Sequence, residues 1–229
     1  MLFRKNLHFF IPLILGPVAI ALSACSKDLN GLEIGCKNSR VPCLSGTANV
    51  SLQTTRGPIV IRLDGSNAPM TAGNFLDLVR RGVYNQTVFH RVVKNPVPFV
   101  VQGGDPLSSD PKIPVSAYGT GQYVEPRTGE SRQIPLEFRL RRSGKLLYGQ
   151  EIADPSLAQK PMLTHERGAV AMARSSDPNS ASAQFYIALE ALPELDGRYA
   201  VFGRVVSGMD VVDRLQQGDK LVRATVLSD

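Results

Sequence analysis

Residues 87–105 read TVFHRVVKNPVPFVVQGGD, and this stretch decides the fold class. Thr87–Val93 and Phe99–Gln102 are short runs of β-branched and aromatic residues, bounded by Asn95-Pro96 and by Gly103-Gly104-Asp105. Short runs of that composition between turn residues read as two strands. Working upstream, Val50–Thr54 and Ile59–Leu63 flank Thr55-Arg56-Gly57-Pro58, a hairpin signal. Ala72–Arg81 carries Phe75, Leu76 and Val79 at helical spacing, with Thr71 or Asn67 as cap and Gly82 as stop. Downstream, residues 106–133 are rich in Gly, Pro, Ser and Tyr and read as a long loop. Ile134–Leu140 reads as a strand and 149–166 as irregular. Gly168–Ala173, Gln184–Leu189, Tyr199–Val206 and Leu221–Leu227 read as strands. Met209–Gln216 reads as a helix, with Val211, Val212 and Leu215 inward and Gly218 at its end. Many short strands and two helices predict a mainly β architecture, a closed barrel capped at its ends.

Composition sets the outer bounds. The chain has 229 residues, 43% hydrophobic and 20% charged, which excludes a disordered protein because enough apolar surface is present to offset chain entropy. No repeat of 20–50 residues is visible, which argues against a solenoid or propeller.

The N-terminus reads as an export signal: Arg4 and Lys5 precede an apolar run from Phe9 to Leu22. Pro12, Gly16 and Pro17 interrupt that run, which is shorter than the ~20 residues of a bilayer span. It ends in Leu22-Ser23-Ala24-Cys25, similar to a bacterial lipobox, which predicts lipidation of Cys25 on the periplasmic side of a membrane. An uncleaved anchor or an ordinary cut near Ala24 are the alternatives. The expected organisation is a signal peptide over 1–24, a polar tether over 25–48 and one domain over 49–229. Losing Arg4 and Lys5 reduces the net charge from +6 to +4, with no run of like charges, so no nucleic-acid partner is expected. Cys36 and Cys43 are candidates for a small disulfide loop in an exported protein. Structural zinc calls for four close Cys or His ligands, and beyond the signal only His90 and His165 accompany those cysteines, so no metal site is expected.

Six strings name an activity together. They are Asn74-Phe75; Phe89-His90-Arg91; Phe99-Val-Val-Gln102-Gly-Gly-Asp105; Ala171-Met-Ala173-Arg174; Ala183-Gln184-Phe185-Tyr186-Ile187; and Leu195-Asp196-Gly197 with Val201-Phe202-Gly203. In this order, over roughly residues 50–227, the sequence resembles the cyclophilin family of peptidyl-prolyl cis–trans isomerases. The resemblance implies a closed eight-stranded antiparallel β-barrel with a helix closing each end, no cofactor, and a monomer acting on proline-containing polypeptides. It implies Arg91 and Gln102 as catalytic residues. It implies Phe99, Val100, Tyr186 and Leu195 around the proline ring, Gln184 orienting the substrate backbone, Ala173 and Arg174 along it, and Tyr199 bordering the cleft. Strand alternation puts Gln184 and Tyr186 on one face, Phe185 on the other, and pairs Val100 with Gln102.

The sequence also departs from the family pattern. Glu194 stands where many members carry an aromatic residue, which implies weaker binding of the cyclic undecapeptide inhibitor. Tyr186 replaces a Phe and puts a hydroxyl near the proline; Arg174 replaces an Asn whose main chain does the work, implying tolerance. Residues 106–167 are longer than in a minimal member and imply an elaborated loop shaping access. His90 reads as a packed residue, and His165 and Glu166 carry no assignment. A module that holds proline peptides with little turnover is the rival reading. A serine hydrolase is disfavoured because no Gly-x-Ser-x-Gly elbow occurs in a suitable context.

Overall fold

The computed structural model describes residues 34–37, 39, 41–152 and 160–228. The stretch expected to be a signal peptide and Cys25 lie outside the described residues. Among those described, no helix is long and apolar enough to cross a membrane.

Strands β1 (Thr47–Thr54) and β2 (Gly57–Asp64) form an antiparallel hairpin in register from Thr47↔Asp64 to Thr54↔Gly57. The reversal is therefore only Thr55-Arg56, two residues shorter than the composition of the turn suggests. Gly57 makes the tight turn possible by adopting φ +128°, a region that side-chain-bearing residues rarely enter. Pro58, which lacks an N–H, lies before the register with β10 (Val201–Ser207) begins at Val60.

The remaining sheet strands are β3 (Thr87–Val88), β4 (Arg91–Val93), β5 (Val100–Gly103), β8 (Ala169–Met172), β9 (Phe185–Ala188) and β11 (Lys220–Ser228). Their order is β3-β11-β1-β2-β10-β8-β9-β5-β4, antiparallel throughout. The stretch 87–93, expected as one strand, is broken at Phe89-His90, and its halves are the two margins of the sheet. β3 pairs with β11 and β4 with β5, while Phe89 N–H donates to Asp219 O and Gly218 N–H to Phe89 O. Nine ladder strands thus derive from eight stretches of sequence, and the sheet curls until its margins are joined by two residues.

Helix α2 (Pro69–Arg80) supplies the centre of the main core, with α1 (Ile34–Lys37) a single turn before it in the chain. Phe75 meets Tyr84, Phe202 and Phe185 with ring centroids 4.8, 5.0 and 5.2 Å apart. Helix α3 (Met209–Arg214) buries Val211 and Val212 in the same core.

Neither Thr71 nor Asn67 caps α2. The helix begins at Pro69, whose missing N–H costs nothing at a helix start. The free amides of Met70 and Thr71 donate to the Glu137 carboxylate at 3.1 and 2.8 Å, and the Thr71 hydroxyl joins at 2.6 Å. Glu137 opens β6 (Glu137–Arg139), which pairs with β7 (Leu146–Tyr148) in a hairpin that the composition of this region conceals. An anion at a helix N-terminus satisfies orphan donors and meets the positive end of the dipole.

The segment expected to be a polar tether is docked over its last part. Leu44 is buried, and its N–H donates to Pro69 O at 2.9 Å. A Cβ on Gly73 would come within 2.6 Å of Cys43 Cα, and one on Gly65 within 2.6 Å of Leu44 Cγ. Two glycines therefore leave the groove that this backbone fills. Cys36 and Cys43 are joined by a disulfide, with Cα atoms 5.9 Å apart.

Candidate active site

Alternation across the ladder builds the site. Arg91 on β4 faces Gln102 on β5, Gln102 faces Tyr186 on β9, and Tyr186 faces Ala171 on β8. One register row thus carries a cation, an amide and a phenol across four strands. Their neighbours Val101, Ile187, Phe185 and Val170 point to the opposite face and belong to the main core. On the outer face Val100, Ala169, Ala171, Tyr186, Ala188, Leu192 and Val201 form a second, separate apolar cluster.

A cleft of about 330 Å³ opens over that cluster. Arg91, Phe99, Val100, Gln102, Ala173, Arg174, Tyr186, Leu195 and Tyr199 line it, so nine of the ten residues singled out for substrate come together there. Gln184 lines an adjoining cavity of about 260 Å³ that shares Gln102, Ala173 and Arg174 with the first. The Arg91 guanidinium is exposed, with its carbon 5.6 Å from the Phe99 ring centroid.

A hydrogen-bond chain leads back from that cation into the protein. Arg91 Nη1 donates to Gln102 Oε1 (3.3 Å), and Gln102 Nε2 to Gln184 Oε1 (3.2 Å). Gln184 Nε2 donates to the carbonyls of Gly119 and Gly121 at 2.9 and 3.0 Å. The amides of the same two glycines donate to Asp105 Oδ2 at 2.6 and 3.2 Å, and Leu107 N–H to Asp105 Oδ1 at 2.9 Å. Asp105 is fully buried, so its charge is offset by these donors. The long loop after Gly104 is therefore pinned to the site at residues 119–121. His90 lies near Gly119, with burial as the main cause lowering its pKa, so its ring is neutral at pH 7.

Sequence reasoning missed a second polar group beneath the apolar wall. The Tyr186 hydroxyl does not face the cleft unpartnered, since it lies 2.9 Å from His165 Nε2. His165 Nδ1 and the His165 backbone N–H both meet Asp196 Oδ1, at 2.9 and 2.8 Å. A carboxylate beside Nδ1 holds a proton on that nitrogen, which leaves Nε2 to pair with the Tyr186 hydroxyl. Burial raises the Tyr186 pKa well above its ordinary 10, so the phenol stays protonated. The only signal available in the sequence was the tyrosine itself, since a buried phenol demands a partner.

Arg174 also differs from expectation, for its side chain is committed. Its Nε and Nη2 donate to Arg198 O at 3.0 and 2.8 Å and its Nη1 to Ser175 O at 2.8 Å. It pairs with Glu151 and stacks 4.7 Å from the Tyr199 centroid. That makes it a wall between the two cavities.

Residues 49–227 match the family described as cyclophilin type peptidyl-prolyl cis-trans isomerase/CLD. The chain is 36% identical over 200 residues to a putative thylakoid lumen peptidyl-prolyl cis-trans isomerase of Synechocystis, covering 83% of this chain and 49% of that protein. It is 34% identical over 169 residues to peptidyl-prolyl cis-trans isomerase-like 1 of Gibberella zeae, covering 74% and 82% of the two. A cyclophilin-type isomerase structure from Cryptosporidium parvum superposes with a TM-score of 0.57 at 23% identity, covering 80% of this chain and 99% of that one. The mainly β fold, curled sheet and two principal helices are those of such structures. This chain belongs to the cyclophilin-type peptidyl-prolyl cis–trans isomerase family.

Proposed function

We propose that the cleft accelerates rotation about X–Pro bonds in exported polypeptides, aiding their folding, and that the mature protein is a monomer held to a membrane by lipid on Cys25. The carrying observation is the placement of the Arg91 guanidinium at the rim of the apolar hollow formed by Phe99, Tyr186 and Leu195. Amide resonance sets a rotation barrier near ~20 kcal/mol. Twisting the bond returns the lone pair to the proline nitrogen, which becomes a hydrogen-bond acceptor only near the midpoint. A donor aimed at that nitrogen binds the twisted state better than the planar one.

Arg91 is that donor, and guanidinium suits the task because it remains charged and rigid. Gln102 aims it, and Gln184 orients the substrate backbone and braces Gln102. Phe99, Val100, Tyr186 and Leu195 hold the proline ring, while Ala173, Arg174 and Tyr199 border the peptide. A million-fold acceleration requires about 8 kcal/mol. One charge-assisted hydrogen bond contributes roughly 1.5–3 kcal/mol. Desolvation and the grip on the ring supply the rest. The lumenal relative, the Cys36–Cys43 bond and the leader-like N-terminus support action outside the cytoplasm.

A protease-coupled assay on a proline tetrapeptide tests the reading. Arg91→Ala is expected to lower kcat/KM roughly ten- to hundredfold, the loss of one such bond, with peptide affinity largely kept. Equal inactivity of wild type and variant, with peptide still bound, identifies a holding module instead. For the anchor, Cys25→Ser is expected to move the protein from the membrane fraction to the soluble one.

A further inference from the structure

We infer that His165 sets the width of the proline hollow and so selects for a five-membered ring. The inference rests on the reading that this hollow receives proline. His165 uses all four of its polar atoms, one toward Tyr186 and three toward the turn that carries Leu195. Toward β9, Nε2 holds the Tyr186 hydroxyl at 2.9 Å. Toward the turn that carries Leu195, Nδ1 and the backbone N–H hold Asp196 Oδ1 at 2.9 and 2.8 Å. The His165 carbonyl accepts from Leu192 N–H at 2.7 Å, at the base of the same turn. Leu192 N–H and the Asp196 carboxylate bracket Leu195, which is further fixed by its N–H to Leu192 O at 3.0 Å.

Tyr186 and Leu195 line the cleft, and the sequence brings them from separate elements. Direct strand pairing fixes Tyr186 through Gln102 and Ala171, but no ladder fixes the 192–196 turn. The imidazole is the rigid spacer between them. Its side chain is fully buried, so it touches no substrate and acts by positioning. A rigid spacer locked by bonds in two directions resists the spreading that a larger ring would need.

The test compares two peptides that differ only in proline or its six-membered homologue, pipecolate, and reads the ratio of their kcat/KM values. The ratio does not depend on the fraction of folded enzyme, so a merely structural role leaves it unchanged. His165→Leu is expected to reduce the proline preference at least fivefold. His165→Gln, which retains an acceptor toward Tyr186, is expected to restore part of it. Tyr186→Phe removes only the hydroxyl and is expected to reduce the preference about twofold, so the inference stays testable if His165→Leu does not fold. In the Tyr186→Phe background, His165→Gln is expected to have no further effect through β9. An unchanged ratio in every folded variant overturns the inference while leaving the isomerase reading intact. A wild type inactive on both peptides overturns that reading itself.

Discussion

The two faces of β5, β9 and β8 share one backbone and have opposite fates. Inward stand Val101, Ile187, Phe185, Val170 and Met172, all buried in the main core. Outward stand Val100, Gln102, Tyr186, Ala188, Ala169 and Ala171. The outer residues are also mostly buried, so dryness does not separate the faces. Size does. Large side chains fill the inner space, whereas the outer face carries three buried alanines, and its Val100, Gln102 and Tyr186 line the cleft. The cleft opens over the smaller outer cluster, and the Arg91, Gln102 and Tyr186 side chains that line it have polar partners. Core substitutions should then cost stability with the chemistry kept, and outer ones the reverse.

The sharpest way to break that division is Phe185→Ala. Phe185 sits edge-on to Phe75 and Tyr84 with centroids 5.2 and 5.5 Å apart. Truncation should lower unfolding free energy by roughly 3–5 kcal/mol in urea titrations. The kcat/KM of the folded fraction should remain within about threefold. A large activity loss at temperatures where the variant is folded would mean that the faces are not independent.

Gln102→Leu tests the opposite face, one register position away. It removes the acceptor of the Arg91 guanidinium and the donor to Gln184. Under the proposed mechanism the misaimed guanidinium loses up to its own bond to the twisted substrate, roughly 1.5–3 kcal/mol, so kcat/KM should fall by up to about ten- to hundredfold. Stability should change by less than about 1 kcal/mol, because the side chain is only half-buried.

How much of this division was legible in the sequence depends on the reach of each contact. Alternation along Gln184-Phe185-Tyr186 and Val100-Val101-Gln102 is local, so which residues share a face follows from period two alone. The break at Phe89-His90 is not local. Five of the seven residues from Thr87 to Val93 are β-branched or Phe and favour strands, and the split arises because one half meets β11 and the other β5. The α2 cap was illegible for the same reason: Glu137 lies 67 positions from Met70. His165 has no periodic pattern around it, and its partners Asp196 and Tyr186 are 31 and 21 positions away. The docking of residues 42–44 depends on the absence of side chains at Gly65 and Gly73, which reads in a sequence only as flexibility.

Glu137 sharpens the comparison, because it is a charged group on the buried side. Burial raises its carboxyl pKa above the ordinary 4.5, and hydrogen bonds from Thr71, Met70 and Tyr148 oppose the shift. Above 4.5 the folded state therefore holds the proton more firmly than the unfolded chain. Stability contributed by this group is fully present below that value and declines as pH rises through the folded pKa. Glu137→Gln cannot titrate. Its cost relative to wild type, of order 1–2 kcal/mol from imperfectly replaced hydrogen bonds, should be larger at pH 4 than at pH 7. Urea titrations at the two pH values measure it, and a gap that widens toward pH 7 would contradict the assignment.

The smallest effect belongs to neither face. Arg167 Nη2 donates to both carboxylate oxygens of Asp213, at 2.7 and 2.9 Å, with both side chains more than 40% exposed. An exposed pair gains little in high dielectric and must hold two side chains in one geometry, so its worth is about 0.2–1 kcal/mol. Asp213→Ala should lower stability by no more than that, and 0.5 M salt should erase most of the difference, because the Debye length is then only a few ångströms. Its geometry is better than that of the Arg91–Gln102 contact, yet its expected effect is smaller. The distinction is what each group does next: Arg167 has only its partners to satisfy, whereas Arg91 lines an apolar hollow with donors left over, which the proposed role spends on a nitrogen that accepts them only when its bond is twisted.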